Sequence, residues 1–340
     1  MATRLEARGL TVELPTRAGW VRPVNGVSFS LGEGETLGIV GESGSGKTML
    51  ALALMGLEPK GARLKGEAWL HCRAATGNGS PPNSSTVDRD GKNLLTIPPA
   101  EMHALRGREI AMIFQEPMTA LNPVIRVGAQ IEEAIQVHEP RLGGNEIRRR
   151  ALNALERAAI PEAGKRARQY PHQLSGGLRQ RVMIAMALAA GPRVLIADEP
   201  TTALDVTVQK QILELLEALR RELQLSLLFI THDFGVVAQI AGRVAVMYAG
   251  RVVEEGPTAE VLRHPRHPYT EGLLRAAPRL AREKLVPIAG TVPALDALPP
   301  GCSFGPRCPR HEVECDAAMP DLIHARGAAE NHLARCILVR

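Results

Sequence analysis

The sequence predicts an α/β fold in which a parallel β-sheet is covered by helices on both faces. Three observations lead to this class. Apolar, partly β-branched runs alternate with helical patterns, one long and mostly helical stretch interrupts the alternation, and 45% of the 340 residues are hydrophobic, which suffices for a sizeable core. Because only two Trp, three Tyr and five Phe occur, the core is predicted to be aliphatic.

The elements follow in order along the chain. Strands come first, and the run at 35–40 leads into a glycine-rich loop and then a helix. Residues 72–92 are dense in Gly, Ser, Asn and Pro and are predicted to form an exposed loop without a chemical role. The remaining predictions are a mostly helical stretch at 98–190, clearest at 130–137, 146–159 and 178–190, strands at 194–197, 225–230 and 244–247, and a helix at 206–222.

The composition changes after Gly256, where prolines become frequent and four of the five cysteines occur. We therefore predict a domain boundary near residue 256. Residues 1–256 would form one domain with a helical subdomain at about 116–190, and residues 257–340 a C-terminal extension.

The loop at residues 41–48 fits the pattern G-x-x-x-x-G-K-[ST] in full and lies between a predicted strand and a predicted helix. Its glycines let backbone N–H groups surround phosphate oxygens at the amino end of the helix. Lys47 can reach the β- and γ-phosphates, and the Thr48 hydroxyl can ligate Mg²⁺. This P-loop predicts a site for a nucleoside triphosphate.

Two further motifs extend the phosphate chemistry. The apolar strand at 194–197 ends in Asp198, which suits a Mg²⁺ shell, and Glu199, which can polarise a water aimed at the γ-phosphate. Ser175, Gly176 and Gly177 precede a strongly helical segment and offer a hydroxyl and close-approach amides at a helix start. They predict a second surface that faces phosphate.

In chain order with Gln115, Ala203-Leu204-Asp205 and Thr231-His232-Asp233, these motifs resemble the nucleotide-binding subunit of an ATP-binding-cassette (ABC) transporter. The resemblance covers about residues 5–255. It implies an α/β P-loop NTPase core of the ABC ATPase type, with a helical subdomain and a small Cys/Pro-rich C-terminal extension. The sequence departs from the family at Leu178, where the commonest form has Gln, and the aromatic residue that stacks on adenine is not in register. Trp20 is either that residue or a loop aromatic.

In that family, two subunits associate head to tail, and each ATP lies between the P-loop of one and the serine-glycine signature of the other. The resemblance implies that Glu199 is the catalytic base, that Gln115 senses Mg²⁺ and the attacking water, and that His232 contacts the γ-phosphate. Other implied contacts are phosphate and Mg²⁺ binding by Gly41, Ser43, Gly44, Ser45, Gly46, Lys47 and Thr48, Mg²⁺ ligation by Asp198, contact with the partner's ATP by Ser175, Gly176 and Gly177, and coupling of the two sites by Asp205.

Longer segments around Gln115, after Ser175 and at H-P-R-H-P-Y-T-E-G-L-L resemble the ATPase subunits of bacterial dipeptide, oligopeptide and nickel importers. The implied partners are a second, related ATPase in a heterodimer, two membrane permeases and, indirectly, a solute-binding protein. The segment after Gln115 would accept a permease helix. The chain has neither an apolar run of membrane-spanning length nor a signal peptide, so we expect it peripherally at the cytoplasmic face of the inner membrane.

Two other functions compete. A soluble ABC protein that acts on DNA or ribosomes would carry a long coiled coil between Gln115 and Ser175, or two cassettes in one chain, and this sequence has neither. A P-loop kinase has no use for the Ser175 motif. The scarcity of aromatic residues and the modest net charge of +5 also argue against a nucleic-acid partner.

The C-terminal cysteines form a separate candidate site. Cys302, Cys308, Cys315 and Cys336 lie among prolines and lack the closely spaced pair with which structural zinc sites usually begin. Four thiolates on a loop-rich tail suit an iron–sulfur cluster, and the resemblance implies [4Fe–4S] at these positions. Zinc and unliganded or redox-active thiols are the alternatives.

Overall fold

The computed structural model describes residues 2–17, 19–72, 91–202, 204–277, 287–328 and 331–339. Most of the predicted loop at 72–92, and Ala203 of the motif that contains Asp205, lie outside the described residues.

The strands are, in chain order, β1 (Thr3–Thr16), β2 (Gly19–Gly32), β3 (Thr36–Val40), β4 (Arg63–His71), β5 (Gly91–Asn93), β6 (Ile110–Ile113), β7 (Val194–Asp198), β8 (Ser226–Thr231), β9 (Arg243–Tyr248), β10 (Arg251–Pro257), β11 (Ile323–His324) and β12 (Leu333–Ala334). The helices are α1 (Lys47–Leu54), α2 (Pro99–Leu105), α3 (Pro117–Ala120), α4 (Val127–His138), α5 (Gly144–Arg157), α6 (Ala163–Arg166), α7 (Gly176–Leu188), α8 (Val206–Leu223), α9 (Phe234–Ile240), α10 (Thr258–Arg263) and α11 (Pro268–Ala276).

The larger sheet has the strand order β11-β12-β10-β9-β3-β8-β7-β6. Strand β3 pairs in parallel with β8 and β9, and β7 pairs in parallel with β8 and β6. All residues of β3, β7 and β8 are buried, as expected for parallel strands covered on both faces. Because parallel strands end at the same edge, the loops after β3, β6, β7 and β8 meet there, which is how the predicted site residues come together.

Strand β6 corrects one prediction. Residues 110–113 fall within the stretch predicted to be mostly helical, but they form a buried strand parallel to β7. An apolar run of four residues shows neither helical nor strand periodicity, so its pairing with β7 decides the conformation.

The second sheet is antiparallel, in the order β2-β1-β4-β5. It shares one aliphatic core with α1 and the central strands, including Leu5, Leu31 and Leu54, all with no exposed surface. This layer supports the β3-to-α1 connection from one side.

The predicted helical subdomain contains α3 to α7. Its helices enclose a separate core that includes Leu121, Ile131, Leu155 and Val182, each at most 1% exposed. The bounds of the predicted subdomain, about 116–190, stay a prediction.

The C-terminal extension is joined to the larger sheet. Strand β12 pairs with β10, and β11 pairs with β12. The buried Glu254 carboxylate accepts hydrogen bonds from the backbone N–H groups of Arg266 (2.7 Å) and His267 (2.9 Å), and lies 2.7 Å from His332 Nε2. Residues on both sides of position 256 therefore share one buried polar network. Within the described ranges, no helix combines the length and hydropathy required to cross a bilayer.

Candidate nucleotide-binding site

The P-loop connects β3 to α1, and its lysine faces inward. Lys47 Nζ donates to the backbone oxygens of Gly41 (2.8 Å) and Glu42 (3.0 Å) and lies 3.4 Å from Ser45 Oγ. The side chain is 4% exposed, and burial lowers its pKa, while the charges of Glu199, Asp198 and Glu42 act in the opposite direction. Ser43, Gly44 and Thr48 are exposed, so the loop presents them outward while Lys47 holds its two ends together.

The glycines of the P-loop are favoured for two different reasons, close packing and backbone conformation. At Gly46 the backbone has φ 103°, and a Cβ would lie 2.0 Å from Pro23 O. At Gly41 a Cβ would lie 2.2 Å from Met247 O. Gly44 has φ 77° with open space around it, so there only the left-handed conformation favours glycine. Close packing therefore requires glycine at positions 41 and 46, and backbone conformation favours it at position 44.

The carboxylate of Asp198 ends β7 and is 1% exposed. Burial, as the largest cause, raises its pKa to about 6, and a hydrogen bond from Thr48 opposes that effect. Its Oδ1 atom is buried without a hydrogen-bond partner among the described residues. A buried unpartnered carboxylate oxygen next to a hydroxyl group fits Mg²⁺, which prefers oxygen ligands.

Glu199 follows Asp198 and contacts other predicted site residues. Its Oε2 accepts hydrogen bonds from Thr202 Oγ1 (2.8 Å) and Gln115 Nε2 (3.4 Å), and lies 3.3 Å from His232 Nδ1. Its Oε1 is 4.0 Å from Lys47 Nζ. The structure thus brings the predicted base Glu199, Gln115 and His232 together. It also adds Thr202, which lies three positions after Glu199 and which the sequence analysis missed.

The hydrogen bond with His232 is the largest cause that lowers the pKa of Glu199, and burial opposes it. The same contact raises the pKa of His232. The pair therefore favours an ionised carboxylate and a protonated imidazole.

The signature residues form a second group. Ser175 caps α7, and its Oγ accepts from Leu178 N at 3.4 Å. Asp205 caps α8 in the same way, accepting from Val208 N at 2.9 Å. A Cβ on Gly177 would lie 2.8 Å from Val208 Cγ1, so the two helix starts are in close contact. Within the described parts of the chain, no hydrogen bond joins this group to the P-loop.

Trp20 lies in β2, not in a loop, and is 44% exposed. The Arg63 guanidinium carbon sits 3.8 Å from the centre of its ring. One ring face is thus already engaged by a cation. The predicted contact with adenine stays a prediction.

The four C-terminal cysteines converge on one cavity of about 10 Å³, which Phe304 and His267 also line. Burial raises the pKa of the Cys302, Cys308 and Cys336 thiols. The described residues contain no group of three or more His, Cys, Asp or Glu arranged to hold a metal ion. The expected [4Fe–4S] cluster is therefore not supported, because a cavity of this volume has room for about one water molecule.

Two residues of the C-terminal extension also contact the P-loop, and sequence analysis missed both. Arg307 pairs with the Glu42 carboxylate, and the Tyr269 hydroxyl accepts from Glu42 N.

The P-loop and the Asp198 carboxylate meet the paired Glu199 and His232 at one sheet edge, which is the arrangement of a P-loop NTPase. Residues 24–202 match the family described as "ABC transporter", and residues 253–315 match "Oligopeptide/dipeptide transporter, C-terminal region". The chain belongs to the ABC transporter family, as one of its ATP-hydrolysing cassettes.

The chain is similar to relatives over nearly the whole length of both chains. A protein of Brucella abortus (strain 2308), provisionally named peptide import ATP-binding protein, is 46% identical over 96% of this chain and 94% of the relative. A relative of the same name from Brucella ovis is 48% identical over 98% and 96%. Among solved structures, the ATP-binding cassette MJ0796, a dimer in a post-hydrolysis state with ADP and Pi, has a TM-score of 0.62 and 28% identity, covering 75% of this chain and 98% of that one. These matches do not favour a soluble ABC protein that acts on DNA or ribosomes, or a P-loop kinase.

Proposed function

We propose that the chain is the ATP-hydrolysing subunit of a bacterial importer for dipeptides, oligopeptides or a related solute. The observation that carries this proposal is the similarity over both the cassette and the extension. The relatives that bear the peptide-import name match 96% and 98% of the chain, and its C-terminal region matches that of oligopeptide and dipeptide transporters.

In the proposed reaction, the backbone N–H groups of the P-loop and Lys47 bind the ATP phosphates. Thr48, Asp198 and Gln115 would hold Mg²⁺, which neutralises phosphate charge when bound. Glu199 accepts a proton from water as the water oxygen bonds to the γ-phosphorus. The bond from that phosphorus to the bridging oxygen breaks, and ADP and phosphate leave.

The contacts of Glu199 support its role as the base. A general base must be deprotonated before it acts, and the His232 contact favours that form. His232, whose pKa is raised by the same contact, would then face the γ-phosphate. Thr202 and Gln115 donate to Oε2, the same carboxylate oxygen that His232 contacts, and so hold the carboxylate in place.

We further propose that two ATPase subunits close over two composite sites. Ser175, Gly176 and Gly177 would contact ATP on the partner, and Asp205 would couple the sites. The close contact of the α7 and α8 starts, and their lack of hydrogen bonds to the P-loop in the described structure, support this arrangement. The partner would be a related ATPase, and two permeases would dock after Gln115, which places the chain peripherally at the cytoplasmic face of the inner membrane.

The test is an uptake assay in the source organism. Deletion of the gene should abolish uptake of labelled di- or oligopeptides, and the wild-type gene should restore it, whereas Glu199→Gln should not. Normal peptide uptake after deletion would contradict the proposal. Loss of nickel uptake alone would place the chain with the related metal importers.

The iron–sulfur cluster stays a prediction, because the four cysteines converge on one cavity but the described residues are not arranged there to hold a metal ion. Protein purified without oxygen should be brown and contain iron and sulfide in near-equal amounts, and a Cys308→Ser, Cys315→Ser double variant should lose both. Stoichiometric zinc would favour a zinc site instead. Metal-free protein with four titratable thiols would exclude both metals.

A further inference from the structure

Glu42, the second P-loop residue, forms an ion pair with the C-terminal extension. Arg307 Nη1 donates to Glu42 Oε2 at 2.7 Å, and Arg307 Nη2 donates to Glu42 Oε1 at 3.0 Å. The Arg307 side chain is 4% exposed. A two-point pair of this kind fixes both the distance and the orientation of the carboxylate.

The backbone of Glu42 is held by the extension as well. Its N–H donates to Tyr269 Oη at 2.8 Å. Tyr269 has no exposed surface, and its ring packs against Tyr248 and Phe304 at centroid distances of 4.6 and 5.3 Å. The acceptor therefore sits on a rigid aromatic cluster and not on a mobile side chain.

Glu42 in turn touches the phosphate-binding lysine, because its carbonyl oxygen accepts the hydrogen bond from Lys47 Nζ at 3.0 Å. A continuous path of contacts thus runs from Arg307 and Tyr269 through Glu42 to Lys47. Every step along it is a hydrogen bond or an ion pair.

We propose that Arg307 and Tyr269 are positioning residues of the ATP site, through which the C-terminal extension holds the P-loop in its nucleotide-binding shape. Neither residue touches nucleotide in this role. The proposal depends on the ATP site alone, so it can fail while the importer proposal stands, and the reverse also holds.

The location of Arg307 gives this role a further consequence. Arg307 lies between Cys302 and Cys308 in one tight turn, in which Gly305 N donates to Cys302 O (2.8 Å) and Cys308 N donates to Gly305 O (3.1 Å). Arg307, which pairs with Glu42 of the P-loop, is thus part of the turn that carries two of the four cysteines. A rearrangement of that turn would move Arg307 and so change its ion pair with Glu42.

The test compares Arg307→Ala and Arg307→Lys with Arg310→Ala in the full chain. Arg310 pairs with Glu271 inside the extension and so serves as the matched control. We expect Arg307→Ala to raise the Kd for a fluorescent ATP analogue, and the KM for ATP in the assembled transporter, about tenfold, with kcat changed less than twofold. Arg307→Lys should recover part of the affinity because it keeps the charge and loses the second contact. Arg310→Ala should match wild type.

Two additional variants separate positioning from simple folding support. Tyr269→Phe keeps the aromatic packing but removes the acceptor for Glu42 N–H, so it should raise Kd several-fold without lowering the melting temperature to the same degree. Combining Glu42→Gln with Arg307→Ala should weaken binding no more than the stronger single change, since both act at one contact. A folded Arg307→Ala protein with wild-type Kd, or fully additive losses in the double variant, would overturn the proposal.

Discussion

Glu199 Oε2 lies 3.3 Å from His232 Nδ1, so the first carboxylate after β7 and the first imidazole after β8 form a contact across two neighbouring strands. The parallel register that sets Asp198 opposite Ile230 brings these strand ends together. The contact shifts both titrations in the direction that favours charge on each partner.

This contact predicts how His232 titrates. Replacing Glu199 with Gln should lower the pKa of His232 to its ordinary 6.5 or below, because the carboxylate is the main cause of its elevation, while burial and Lys47 oppose it and Asp233 adds a little. Histidine resonances followed by NMR through a pH series would measure it. An unchanged pKa in the variant would show that the contact does not form in solution.

The same pair contributes to stability only in a limited pH window. The raised pKa of His232 gives a contribution that is complete below 6.5 and lost as pH rises through the folded value, while the lowered pKa of Glu199 gives one that is complete above 4.5 and lost as pH falls. Glu199→Gln should therefore lower the free energy of unfolding most between pH 4.5 and 6.5. The loss should be less than about 1 kcal/mol, because His232 is half exposed and solvent screens the pair.

For catalysis, Glu199→Gln should preserve ATP binding and slow hydrolysis by about 10²–10⁴-fold, because the amide keeps the position and cannot accept the proton. Single-turnover hydrolysis and nucleotide binding by the assembled transporter would separate the two effects. Turnover close to that of wild type would remove Glu199 from its role as the base.

The buried Asp198 carboxylate should lower the stability of the nucleotide-free protein at neutral pH, although the same carboxylate should bind Mg²⁺. Its pKa, raised from 3.8 to about 6, favours the neutral form in the fold, so its stability contribution is complete below 3.8 and lost as pH rises through 6. At pH 7.5, Asp198→Asn should therefore stabilise the nucleotide-free protein by about 3 kcal/mol, which corresponds to the shift of its pKa from 3.8 to about 6.

The same variant should largely lose the additional stabilisation by Mg²⁺ and ATP, which thermal melts with and without Mg²⁺ would show. In the wild type, Mg²⁺ affinity should fall as pH drops below about 6, since protons compete for the carboxylate. Equal Mg²⁺ effects in wild type and variant would place the metal elsewhere.

The two signature glycines offer a matched pair. A Cβ at Gly177 would meet Val208 Cγ1 at 2.8 Å, whereas at Gly176 the nearest atom, Leu204 Cδ2, would be at 3.8 Å. Gly177→Ala should lower stability by about 1 kcal/mol because a β-branched side chain in a helix adjusts poorly. Gly176→Ala should be neutral, and Val208→Ala should rescue Gly177→Ala. Urea unfolding would measure all three, and equal midpoints for the two glycine variants would contradict the close contact.

Ser175→Arg tests the composite site. It places bulk and charge where the partner's γ-phosphate would lie, so it should reduce nucleotide crosslinking to the partner's P-loop and spare that of this chain. Photocrosslinking to each subunit of the complex would report this. A loss confined to the P-loop of this chain would contradict the head-to-tail arrangement.

Sequence could predict the parts of the site that lie within single strand–loop–helix units. The P-loop, Asp198, Glu199 and the Ser175 helix start each follow from a local pattern, and their meeting follows from parallel strand order. Strand β6 was missed because four apolar residues have no usable period. Arg307 was missed because it stands 265 positions from Glu42, and no local pattern links residues so far apart.

The pairing of β12 with β10 has a consequence for any attempt to shorten this protein. A chain that stops at residue 256 would leave β10 as a bare sheet edge, open to pairing with other molecules. It would also remove the Arg266, His267 and His332 partners of Glu254, which has no exposed surface. We expect such a fragment to aggregate, so the minimal ATPase unit of this protein includes its carboxyl-terminal tail.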